Sequence, residues 1–140
     1  MENRYLYRGK RIDNGEWVEG YYVKGLDMHD KEVHMIFEPG TIFFSSGETD
    51  GWVEVEASTI CRCTGLKDKN SNLIFENDIL SGHIDVEFPE DVSRFKVEWN
   101  GRGWVENQPG AVDREYLDDF DTEHYAVIGN VFDDPELLEV

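Results

Sequence analysis

The stretch TGLKDKNSNLIFENDI, residues 64–79, has two readings that lead to different folds. Asp68, Asn70 and Asn72 match the first three ligand positions of an EF-hand calcium loop. The match then fails: the sixth position needs glycine for its sharp bend and is Leu73, and the twelfth needs a bidentate glutamate and is Ile79. Taken instead as a tight polar turn over residues 68–72 between apolar runs, the segment is a hairpin, because Asp and Asn side chains readily bond to the backbone two residues on. This second reading makes the chain β-rich and leaves no calcium site.

Outward from this turn the same pattern continues. Towards the C-terminus, apolar runs at 73–75, 79–80, 84–88, 95–99 and 104–105 read as short strands, with Asn100-Gly101 dividing the last two as a hairpin. Residues 125–132 form the last strong strand signal, and residues 112–120 one or two helical turns. Towards the N-terminus, YLYRGKRIDNGEWVEGYYV (5–23) is split by Asn14-Gly15, a pair that suits a type I′ hairpin turn. Runs at 34–37, 41–44 and 52–55 follow, punctuated by Pro39-Gly40 and by the polar cluster 45–51. Near the C-terminus, Asp133-Asp134-Pro135-Glu136-Leu137-Leu138 places an acidic cap before proline, predicting a short helix or turn whose leucines pack back on a sheet. The fold class expected is mainly β, built of short antiparallel strands.

The 140 residues are 39% hydrophobic and 13% aromatic, enough to build a core without disulfide or metal. With 31 acidic residues against 13 basic, the formal charge is −18. A chain so acidic repels phosphate backbones, so direct nucleic-acid binding is disfavoured and a basic protein partner favoured. Half of that charge falls in residues 113–140, where ten acidic residues face Arg114 alone, whereas Arg4, Arg8, Lys10 and Arg11 make the first dozen residues locally basic. The two ends are expected to pair within or between chains. No apolar run is long enough to span a bilayer and MENRYLYRGKR lacks a signal-peptide core, so no membrane association and a cytoplasmic location are expected. Reduced Cys61 and Cys63, two apart on a strand, fit that setting.

No constellation in the sequence carries recognisable chemistry. Cys61-Arg62-Cys63 with His83 or His124 lacks the paired spacing of a zinc site. His29, His34, His83 and His124 lie apart, Ser45-Ser46-Gly47 is no nucleophile elbow, and no glycine-rich phosphate loop opens a helix. Asp118, Asp119 and Asp121 are carboxylates of a kind that arises freely in so acidic a chain. Trp17, Trp52, Trp99 and Trp104 could form a base-stacking platform, but such platforms need a cationic groove, and Arg94, Lys96 and Arg102 are the basic residues near the second pair. Packing in the core or between subunits is the expected role of the tryptophans. Catalytic residues, metal ligands and cofactor-binding residues are accordingly expected to be none, and the protein is read as not an enzyme.

Read together, residues 5–23, TGLKDKNSNLIFENDI at 64–79 and YAVIGNVFDDPELL at 125–138 resemble the YopX family of phage and prophage proteins, three separated segments in the right order. Ser71 stands where a turn glycine is common in that family, and Asn77 where glycine usually precedes the aspartate. The resemblance implies an N-terminal β-rich segment over residues 1–63 packed on the rest, and an SH3-like β-barrel over 64–140 that starts near Leu66 and closes with the 125–132 strand. It also implies a phage or prophage accessory protein acting through protein contacts. That protein is expected to be a homo-oligomer and to bind a basic host or phage protein, the alternative being a nucleic-acid-binding SH3-like barrel.

Self-repulsion among the C-terminal carboxylates should destabilise the compact chain, and salt screens exposed charges beyond about 8–10 Å. The melting temperature at pH 7 is expected to rise with moderate sodium chloride. A steady fall would mean that attraction between the oppositely charged ends dominates.

Overall fold

The computed structural model describes residues 5–43, 49–83 and 92–139; the expected strand at 84–88 and the Ser45-Ser46-Gly47 segment lie outside them. In chain order the strands are β1 (Tyr7–Lys10), β2 (Trp17–Leu26), β3 (Glu32–Phe43), β4 (Thr49–Glu54), β5 (Cys61–Lys67), β6 (Leu73–Phe75), β7 (Asp78–His83), β8 (Val92–Trp99), β9 (Trp104–Asn107) and β10 (Glu115–Tyr116). A six-residue helix α1 (Asp119–His124) and strand β11 (Tyr125–Asn130) follow, and 3-10 turns cover Ala57–Thr59 and Pro135–Leu138. All described ladders are antiparallel, and the fold is mainly β. The chain forms two compact units, residues 4–63 and residues 64–140, with β5 as the passage from one to the other.

In the N-terminal unit the strands run in the order β4-β3-β2-β1-β5. Its core is Val18, Ile36 and Val55, flanked by Tyr7, Val53 and Ile60. The hairpin expected at Asn14-Gly15 joins β1 to β2, but the ladder ends at the Lys10–Trp17 pair, so the loop is six residues long rather than a two-residue type I′ turn. Gly15 takes a left-handed φ of 73°, and Asn14 instead uses its carboxamide oxygen to accept from the Glu16 N–H. Pro39-Gly40 does not separate two strands as expected. It lies inside β3, where the register with β4 shifts between Phe37 and Ile42. Proline has no ladder donor to give, and a bulge is the place in a sheet where none is asked for. Gly20 on β2 is required sterically: a Cβ there would lie 2.1 Å from the Phe37 carbonyl oxygen.

In the C-terminal unit β6 pairs with β5, and five further strands form a sheet in the order β10-β9-β8-β7-β11. Alternation along β8 buries Ser93, Phe95 and Val97, and these pack with Ile74, Leu80 and Tyr125, with Trp104, Leu117 and Val127 at the margin. The SH3-like barrel expected here is not confirmed. Among the described residues no ladder joins the two edge strands, β10 and β11, and the chain passes between them through α1. That helix begins at Asp119, later than the expected 112–120 turn, because the Asp118 carboxylate accepts from the Asp121 N–H and Asp121 answers to the Asp118 N–H, a reciprocal cap. Pro135 does open a helical turn. Asp134 gives it no side-chain cap, and Leu137 and Leu138 are half-buried.

The polar turn at 68–72 is a hairpin, and the Asp68 side chain is its organiser. Its Oδ1 accepts from the Asn70 and Asn72 N–H groups, both at 2.9 Å, and its Oδ2 from Val127 N–H of β11 at 2.8 Å. Lys69 N–H also reaches the Tyr125 carbonyl. Ser71 and Asn77 hold left-handed φ values of 65° and 70°, at the two positions where the family resemblance led us to expect glycine. Short polar side chains tolerate that conformation best after glycine. Burial pushes the Asp68 carboxyl up, but donation from Val127, Asn72 and Asn70 outweighs it and holds the group below its ordinary value.

Removing this acceptor deprives three backbone N–H groups of their partner. Asp68→Ala is therefore expected to cost about 3 kcal/mol in urea unfolding at pH 7. A carboxyl with a lowered folded pKa contributes in full above its unfolded value near 3.8 and loses that contribution as pH falls through the folded one, so the gap between wild type and variant should shrink below pH 3.8. A variant within about 0.5 kcal/mol of wild type would refute the organising role.

Candidate functional site

Pairing in the C-terminal sheet places two carboxylates on its core-facing side. Val97 is fully buried, and its ladder partner on β9 is Glu106, whose partner on β10 is Glu115. Glu106 thus occupies a position that strand alternation reserves for an apolar side chain. Next to it the 3-residue spacing of the α1 cap brings in Asp118 and Asp121. The result is a cleft of about 380 Å³ lined by Glu106, Glu115, Asp113, Asp118 and Asp121, with Phe120 and Tyr125 as aromatic walls and Ser93, Gln108 and Ala111 completing it. Among these lining residues there is no lysine, arginine or histidine.

The electrostatics follow from that lining. Burial, together with a hydrogen bond and repulsion from Asp121 and the charges of Glu115 and Asp118, pushes the Glu106 carboxyl up to about 9. Its Oε1 is enclosed and has no hydrogen-bond partner. Asp121 is also raised, by burial first and then by Asp118, whereas Asp118, which accepts from the Asp121 and Phe120 N–H groups, is lowered. Two touching carboxyl groups cannot both ionise cheaply, so Glu106 and Asp121 share a proton near neutral pH. Tyr125 is raised by burial and bonds to Ser93, which makes its phenol a poor nucleophile. Such an arrangement can hold a proton or exchange it for a cation.

The acidic triplet read from the sequence is thus brought together in part: Asp118 and Asp121 meet in the cleft and Asp119 does not. Glu106 escaped sequence reasoning; the available signal was its alternation with Trp104, a charged residue on a core-facing phase. The remaining candidates disperse. Cys61 and Cys63 are buried, and Cys61 Sγ lies 3.3 Å from the Thr59 carbonyl oxygen. His34 bonds to the Tyr22 hydroxyl, and His124 Nδ1 to the Phe120 carbonyl at 2.8 Å. Among the described residues no group of three or more His, Cys, Asp or Glu is placed to hold a metal ion.

Of the four tryptophans one packs on a core. Trp52 and Trp99 are exposed and Trp17 half-buried; only Trp104, edge-on to Trp99 at 5.1 Å, packs on the core. Lys96 is tied to Glu98 at 2.7 Å, Arg94 reaches the Leu137 carbonyl at 3.4 Å, and Arg102 sits in the β8–β9 loop. Among the described residues no helix is long and apolar enough to cross a membrane.

A mainly β chain of two antiparallel units with an acidic cleft is the class that these features define. The family model described as YopX protein matches residues 6–139, and the chain belongs to that family. Among solved structures it is similar to protein EF1440 from Enterococcus faecalis, at 25% identity and a TM-score of 0.54, covering 95% of this chain and 96% of that one. No curated protein matches it.

The raised carboxyl has a measurable consequence. The folded chain keeps this proton up to about pH 9, whereas the unfolded chain releases it near 4.5, so rising pH between those values favours unfolding. The wild-type melting temperature is expected to fall from pH 5 to pH 8. Glu106→Gln, neutral throughout, should melt above wild type at pH 8 and show a shallower slope; a variant less stable than wild type at pH 8 would contradict the assignment.

Proposed function

We propose that this YopX-family chain is a phage or prophage accessory protein that is not an enzyme, acts through protein contacts, and takes a cationic side chain of a basic partner into the acidic cleft. The observation that carries this reading is the pairing of carboxylates with aromatic walls in a cavity without a cation of its own. A lysine or arginine side chain arriving there would replace the shared proton, bond the enclosed Glu106 Oε1, and lie against Phe120 and Tyr125, whose ring faces favour cations. The net charge of −18 would steer such a partner from a distance.

The chain is also proposed to self-associate through a strand edge, with β4, the outer strand of the N-terminal sheet, as the edge that would meet a second copy. Nucleic-acid binding is the less supported alternative, since the basic strip it needs is interrupted where Lys96 is neutralised by Glu98.

Fluorescence titration with a lysine- and arginine-rich peptide at low salt tests the reading. Binding is expected to weaken at least tenfold in the Asp113→Lys, Glu115→Lys double variant and to change less than threefold in a Glu136→Lys, Glu139→Lys control of equal charge. Equal loss in both would leave only diffuse charge attraction. A gel shift of single- or double-stranded DNA that survives moderate salt would favour the alternative.

A further inference from the structure

We propose that the Glu106–Asp121 pair is a proton-operated latch, which holds α1 against the sheet of the C-terminal unit and releases it when both carboxyls ionise. This stands whether or not the cleft takes a partner, because it concerns what keeps the helix in place.

The chain on either side of α1 is firmly tied. Before it, Tyr116 is in ladder with Val105, and Leu117 N–H donates to the Trp104 carbonyl at 2.9 Å. After it, Tyr125 enters the ladder opposite Gly82, where a Cβ would lie 2.7 Å from the His124 carbonyl oxygen, and Val127 is held by Asp68. Between these anchors α1 has no buried residue. The bonds drawn by its side chains are local: Asp118 with Asp121, Thr122 with the Asp119 carbonyl, and His124 with the Phe120 carbonyl and ring. Six residues make fewer than two turns, too few for a helix to persist without tertiary support. The Asp121 carboxyl meeting Glu106 on β9 supplies that support.

A carboxyl–carboxyl hydrogen bond requires one proton. The groups facing this pair are Asp118 from the helix itself, Glu115 from β10, Asp113 from the loop before it, and Tyr125 from β11; β8 contributes Ser93. Lys96 and Glu98 pair in register with Asn107 and Val105, out of phase with Glu106, and Arg114 is engaged with Glu98 at 3.3 Å. No cation lining the cleft therefore compensates the second charge, and loss of the proton to a base in solution leaves two carboxylates in contact. The Glu106 carboxyl, raised to about 9, sets the pH range of release.

Amide hydrogen exchange followed by NMR between pH 7 and pH 10, corrected for intrinsic rates, tests the latch. The Thr122 and Tyr125 amides, which close the turn, are compared with Leu80 and Val97 in the central strands. Protection at Thr122 is expected to fall at least tenfold above pH 9 while the central strands keep theirs. The fall should be abolished in Glu106→Gln and in Asp121→Asn, which retains a capping acceptor. Unchanged protection through pH 10, or a loss that persists undiminished in both variants, would overturn the proposal.

Discussion

The carboxylate of Asp68 can be buried because donors surround it: two N–H groups of its own turn on one oxygen and the Val127 N–H of β11 on the other. The last of these spans 59 residues of sequence and fixes where β11 lies against the turn. With β11 placed, the β7 ladder follows from Tyr125–Gly82 to Asn130–Asp78, and through β7 the strands β8 and β9 are set. Two of the three segments that carry the family resemblance are the partners in this contact.

A second carboxylate in the same unit meets the opposite fate. Glu106 is enclosed without donors and beside like charge, so burial prevails and the proton stays, whereas at Asp68 three backbone donors prevail and the charge stays. The environment supplied by neighbouring strands, not the residue type, decides which carboxyl serves the fold and which one strains it. Strain of this kind concentrates where a protein has something to exchange.

Much of the fold was legible in sequence because turns announce themselves chemically. Asp68, Asn72, Asn100-Gly101 and Asn14-Gly15 marked hairpins, and Ser71 and Asn77 could be identified as stand-ins for glycine. What was not legible depended on pairing between distant strands. Pro39 read as a strand end because nothing local tells a bulge from a turn. The open arrangement of the C-terminal sheet was hidden behind the expectation of a barrel. Glu106 looked like one acid among 31 until its register opposite Val97 placed it on the core-facing side that alternation with Trp104 had hinted at. Size alone did not place the tryptophans: only Trp104 of the four packs on the core of the C-terminal unit, and Phe75, Phe95 and aliphatic residues fill the interior.

The long reach from Asp68 to Val127 also imposes an order on events at the ribosome. Every described ladder partner of β1 to β4 lies within the first 63 residues, so that sheet can assemble while the rest is still being made. Strand β7 is different: its partner on one side, β11, emerges only after β8, β9, β10 and α1. Until then the nascent meander carries an uncovered edge on β7, the kind of surface that recruits stray strands. Vectorial synthesis therefore exposes the C-terminal unit to misassembly for longer than the N-terminal one.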